Sequence, residues 1–151
     1  MTTTTIAAHQ YRLHFYVPGQ PAPQGSKRHL GRGVLVEQSK NVGPWRERIA
    51  IQAHNFATQF AVNHPAVLPF HDQGLAVGLQ FVMPRPAATP KTRTPPAIKR
   101  PDCDKLVRAV FDALTGIIFS DDAAIIELHA FKRLAEIGES PGVHISVTSL
   151  P

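Results

Sequence analysis

The segment from Arg100 to Asp122 constrains this chain more than any other. Pro101 pushes the residue before it toward extended geometry, so a helix starts only after it. Asp102 and Asp104 follow, and acidic side chains suit a helix N-terminus, where free backbone N–H groups point outward. Leu106, Val107, Val110, Phe111 and Leu114 recur at helical spacing and predict one buried face. Asp104, Arg108 and Asp112 stand four apart and line a different face. Gly116 fits the position just past the helix end. Ile117-Ile118-Phe119 then returns the chain toward Asp121 and Asp122. Spacing brings Asp122 to the helix start only if the turn after Gly116 doubles back.

Charge gives this segment its chemistry. Five of the eleven acidic residues fall between positions 102 and 122, yet the formal net charge is +5. Crowded carboxylates repel one another unless offset, and divalent cations offset them most simply. The surplus positive charge suits a polyanion. Together these features read as a metal-dependent enzyme acting on nucleic acid. Hard carboxylate oxygens favour Mg²⁺ or Mn²⁺ over zinc. Eight histidines without His-x-His or His-x3-His spacing add no zinc motif. Simpler roles exist for each acid. Asp102 or Asp104 can be a helix cap, and Asp121-Asp122 a solvated turn. An EF-hand calcium loop fails, because Val107 and Ala113 stand where it needs Gly and Glu. The conjunction of both acidic pairs in a basic chain favours a metal site.

Pro101-Asp102-Cys103-Asp104-Lys105-Leu106, Asp112-Ala113-Leu114-Thr115-Gly116 and Asp121-Asp122 resemble the signature of the RusA family of Holliday junction resolvases. These are crossover junction endodeoxyribonucleases often carried by phages and prophages. The resemblance implies a small homodimeric, Mg²⁺-dependent endonuclease that resolves four-way junctions by paired symmetric nicks in DNA recombination and repair. It implies catalytic, metal-holding roles for Asp102, Asp104 and Asp122, with Asp121 assisting one or two ions. The chain departs from the pattern twice. Lys105 stands where the family commonly has Asn, and Arg108 where it commonly has a catalytic Lys. Arg keeps the charge but cannot give up a proton, so Arg108 is expected to stabilise charge on the scissile phosphate.

The rest of the chain is expected to frame this block. At 151 residues one domain is the prior. We read residues 1–9 as a loose tail and 10–151 as the RusA-like domain. The start Met1-Thr2-Thr3-Thr4-Thr5 lacks the basic region of a secretory signal. No apolar run approaches the ~18 residues of a membrane span. The single Cys103 forms no internal disulfide and suits a reducing cytoplasm.

Tyr11, Leu13, Phe15 and Val17 alternate as a strand. A Pro-rich loop follows and ends in Lys27, Arg28 and Arg32, a candidate phosphate-contacting hairpin. Val34-Leu35-Val36 is a short return strand. Pro44 opens a helix whose stripe is Trp45, Ile49, Ala53, Phe56 and Phe60. Leu75 to Met83 alternate as a third strand, which Pro84 stops. Residues 84–101 hold six of the fourteen prolines and five cations, among them Lys91, Arg93, Lys99 and Arg100, with no acid. This predicts an exposed, partly extended loop that clamps a phosphate backbone, joined by Lys105. Ile126, Leu128 and Ala130 alternate in a fourth strand that Lys132-Arg133 ends, and Val143, Ile145 and Val147 form a fifth.

The expected fold is a single compact α/β (α+β) domain, two helices on a mixed sheet of about five strands. A two-fold symmetric junction needs two matched nicks, which a homodimer supplies. Its interface is expected at Ile125 to Phe131 or Val143 to Val147, paired across the axis. Two other classes also fit the residues. One is a metal-dependent nuclease of flap or single-strand specificity. The other is a DNA-binding protein without catalysis.

Overall fold

The computed structural model describes residues 9–25, 27–29, 35–37 and 40–151. Residues 1–8 of the expected tail, and Arg32, lie outside them. Alternation at the start of the described chain produces β1 (Arg12–Pro18), with Leu13, Phe15 and Val17 buried and Arg12 and His14 exposed. The short strands β2 (Lys27–His29) and β3 (Leu35–Glu37) pair antiparallel as a separate hairpin. Of the expected strand at Val34–Val36, Leu35 and Val36 lie in this hairpin rather than in the main sheet, and Val34 lies outside the described residues.

Helix α1 runs over Val42–Asn63, and its buried residues are Val42, Trp45, Ile49 and Ala53. It starts two residues before Pro44. That is tolerated because the first-turn N–H groups have no intrahelical partner for proline to remove. β4 (Leu75–Met83) lies at the centre, flanked by β6 (Gly142–Ser149) antiparallel and β5 (Ile125–Leu134) parallel. The order across the mixed sheet is β1-β6-β4-β5. Leu75, Val77, Leu79 and Phe81 of β4 join Val143, Ile145 and Val147 of β6 in one core with the apolar sides of α1 and of the second helix, α2 (Cys103–Leu114).

Helix α2 (Cys103–Leu114) buries Leu106, Val107, Ala109, Val110, Ala113 and Leu114. Burying each Leu or Val is worth about 1.5–3 kcal/mol. Leu106→Ala, at a position with no exposure, should therefore cost about 2–5 kcal/mol. This buried face fixes which side of α2 is left to solvent. The chain leaves the helix through Gly116, whose φ of 87° lies where a Cβ is unfavourable.

β5 differs from the expected strand, which ended at Lys132-Arg133. It is an edge strand that runs on to Leu134, so Lys132 and Arg133 lie within it. Ile126, Leu128 and Phe131 are 68%, 48% and 41% exposed, because one side of the strand has no neighbour. β6 is paired on both sides, so it has no free edge to offer a second copy. Of the two expected interface strands, only β5 has one. No helix among the described residues is long and apolar enough to cross a membrane.

Candidate active site

Asp102 occupies the N-cap position of α2, yet its side chain makes no capping hydrogen bond. Its carboxylate is exposed, with Lys105 Nζ 3.7 Å from Oδ2. Asp104 lies exposed in the first turn. Arg108, one turn on, is also exposed and makes no ion pair among the described residues. Asp112 is occupied, because its Oδ2 accepts from Gln24 Nε2. Gln24 Oε1 in turn accepts from Arg46 Nη1 of α1 at 2.9 Å, and the Gln24 N–H donates to the Lys105 carbonyl at 3.0 Å. One glutamine thus pins the loop after β1 to both helices. Sequence reading passed over it, since a lone Gln in a Pro-rich loop carries no pattern.

The second acidic pair has a different setting. Asp121 Oδ1 accepts from the Ala123 N–H at 2.9 Å and caps a single 3-10 turn, Asp122–Ala124. One Asp121 oxygen is therefore committed to local structure. Asp122 is exposed in that turn, immediately before β5.

The two pairs stand at opposite ends of α2. The Gly116 N–H donates to the Phe119 carbonyl, and Phe119 bridges to Phe70 ahead of β4. This holds residues 116–122 beside the helix C-terminus. From there β5 runs back along the helix, and Lys132 near its far end reaches the residues before Asp102. Twelve residues of α2, at ~1.5 Å each, separate the ends. The chain does double back after Gly116, but the reversal does not carry Asp122 to the helix start. Among the described residues no group of three His, Cys, Asp or Glu converges closely enough to hold an ion.

Lys132 is the second contributor that sequence reading missed. Its Nζ donates to the carbonyls of Lys99 at 2.6 Å and Pro101 at 2.7 Å. Arg85, one of the five cations of the exposed loop, gives that loop its shape. Its guanidinium donates to Thr94 Oγ1 and to the carbonyls of Pro90, Arg93 and Ala135 at 2.5–3.2 Å. An Arg fork satisfying several carbonyls at once folds a proline-rich segment that has no ladder of its own.

The candidate DNA-contacting cations fall into two groups. Lys91, Arg93, Lys99 and Arg100 are exposed on this loop, with the last two beside Asp102, and Lys105 is half-buried. Lys27 and Arg28 lie on β2, in the hairpin. Among the described residues, the only strongly perturbed carboxylate lies elsewhere. Glu139 is held at about 2 by hydrogen bonds from Arg133 and then from the Glu136 N–H.

The chemistry of these carboxylates suits a divalent cation, although within one chain the described ones do not converge on a common point. Asp102, Asp104 and Asp122 are hard, exposed carboxylates, and none accepts a protein hydrogen bond among the described residues. The protein family described as endodeoxyribonuclease RusA matches the chain over residues 18–148. No curated protein matches it significantly.

Proposed function

The chain belongs to the RusA family of endodeoxyribonucleases, and from that premise we propose that it resolves Holliday junctions by divalent-metal-dependent phosphodiester hydrolysis, acting as a homodimer in DNA recombination and repair. The observation that carries the reading is the pair of exposed carboxylates, Asp102 and Asp104, at the head of α2, framed by Lys99, Arg100, Lys105 and Arg108.

Asp102 and Asp104 would hold Mg²⁺ or Mn²⁺ at the head of α2. When bound, the ion supplies charge that polarises water and the phosphate. Arg108 contributes fixed positive charge to the phosphate as negative charge builds on it. It moves no proton, because a guanidinium stays protonated. Lys99 and Arg100 hold the backbone beside the cut, and Lys27 and Arg28 are further phosphate contacts in this reading. Phosphate contacts carry no base information, so branched shape is what such a surface reads.

The dimer completes the site. Each protomer keeps Asp122 about one helix length from Asp102, and β5 offers a free edge with exposed Ile126, Leu128 and Phe131. Antiparallel pairing of two β5 edges sets the start of one strand beside the end of the other. The start carries Asp122, and the end carries Lys132, which touches Pro101 beside Asp102. Asp122 of the partner subunit then joins Asp102 and Asp104, giving two sites related by the two-fold axis of a four-way junction. Burying the apolar edge offsets the repulsion between two chains of charge +5.

The test is cleavage of four-way, flap and linear DNA with and without Mg²⁺. Paired nicks confined to the four-way junction and dependent on Mg²⁺ support the reading. Cleavage of flaps alone reassigns the substrate. Binding without cleavage in any metal removes the enzyme.

A further inference from the structure

Asp102 faces a counter-ion that the chain itself supplies. Lys105 Nζ stands 3.7 Å from Asp102 Oδ2, one helical turn away at the head of α2. Lys99 and Arg100 are as near in sequence, yet among the described residues only Lys105 comes within ion-pair distance of this carboxylate. Two further observations set the contact apart from a chance meeting of surface charges. Asp102 stands at the N-cap position and makes no capping hydrogen bond, so its carboxylate is not spent on the backbone N–H groups that a cap normally serves. Lys105 is anchored, because its side chain is half-buried and its carbonyl accepts from the Gln24 N–H at 3.0 Å.

As a stabilising pair this contact counts for little, since the two side chains are 38% and 56% exposed. Its weight falls on what else Asp102 can hold. A divalent cation arriving at Asp102 meets a carboxylate that an ammonium already faces. At equal distance the ammonium repels a doubly charged ion twice as strongly as it repels a single charge. Salt does not screen that repulsion fully at a separation well inside the Debye length. The ion must displace the ammonium or share the carboxylate with it, and either lowers its affinity. The flexible four-carbon stem of lysine lets a displaced ammonium swing outward, where a phosphate oxygen can accept from it.

We infer that Lys105 is the resident counter-ion of Asp102 and sets the divalent-cation affinity of the site, so that metal binding releases an ammonium to the DNA backbone. This rests on the metal-dependent nuclease reading above and deepens it. Metal and DNA then favour one another's binding, and the coupling is reciprocal.

The experiment uses the full chain without DNA and follows Mn²⁺ binding through the electron paramagnetic resonance signal of the free ion. Lys105→Met keeps most of the stem and removes the charge. It should bind Mn²⁺ about tenfold more tightly than wild type, the scale of one close like charge removed from a divalent site. Lys105→Arg, which keeps the charge, should stay near wild type. In an Asp102→Asn background, Lys105→Met should bring no tightening, because the two residues act as a pair. Equal Mn²⁺ affinity of wild type and Lys105→Met overturns the inference. The same tightening in the Asp102→Asn background also overturns it, since the effect would then be one of net charge. An absence of Mn²⁺ binding by both wild type and Lys105→Met overturns it as well. Cleavage of a four-way junction in Mg²⁺ by wild type then shows that the nuclease reading survives, and no cleavage means that both fall together.

Discussion

Lys132 Nζ donates to the Pro101 carbonyl at 2.7 Å, which ties the strand that follows Asp122 to the peptide that precedes Asp102. The same ammonium holds the Lys99 carbonyl. Charge-assisted bonds of this kind are about twice as strong as neutral ones, and here they set the direction in which the chain enters α2. We predict that Lys132→Met lowers cleavage roughly 10–100-fold, the range for lost support behind a metal-holding group. The Mg²⁺ concentration for half-maximal rate should rise, and Lys132→Arg should recover part of the loss. An unchanged Mg²⁺ dependence would reduce Lys132 to a surface charge.

Arg108 carries a different expectation. It is exposed and unpaired among the described residues, so its charge is free for the phosphate. Arg108→Ala should lose on the order of 10²-fold in rate, the scale of one lost electrostatic donor. Arg108→Lys should retain most of the rate. Normal cutting by Arg108→Ala would shift the role to Lys105.

The proline-rich loop is tested through salt. Neutralising Lys91, Arg93 and Lys99 together should weaken binding to every DNA shape. Each lost phosphate contact should flatten the log–log salt slope by about 0.9. A slope identical to wild type would make the loop a spacer.

These predictions depend on details that were unequally legible in the sequence. α2 was read almost to the residue, because Pro101, the apolar spacing and Gly116 all act locally. β1 and β4 were read for the same reason, since alternation depends only on having one buried face. β5 was read from the alternation of Ile126, Leu128 and Ala130, although Ile126 and Leu128 lie on an edge. Edge status follows from strand order, which no local pattern encodes. Lys132 looked like a charge ending a strand, and its carbonyl partners are more than thirty residues away in the chain. Asp122 posed the same problem. Spacing allowed the return after Gly116 to end at either end of α2, and only the parallel pairing of β4 with β5 decides it.

The Arg133–Glu139 pair gives a pH prediction outside the site. Nη1 and Nη2 donate to the two carboxylate oxygens at 2.6 and 2.7 Å. With Glu139 lowered from 4.5 to about 2, its contribution is complete above pH 4.5 and is lost as pH falls toward 2. Both side chains are about one-third exposed, so the pair is worth ~1 kcal/mol or less. Glu139→Gln should lower the melting temperature slightly at pH 7. The gap from wild type should close between pH 4.5 and 2. A gap that stays constant with pH would mean that the pair contributes no charge-dependent stability.

The central claim is that two copies share the metal-dependent sites, and subunit mixing tests it most directly. Asp104→Asn and Asp122→Asn homodimers should each fail to nick a supercoiled cruciform plasmid in Mg²⁺. Once mixed and allowed to exchange subunits, heterodimers hold one site with both substitutions and one with neither. The account predicts that nicking returns on mixing, as single nicks rather than paired cuts. If wild type cleaves and the mixture stays inactive after demonstrated exchange, each site lies within one chain and the shared arrangement is contradicted.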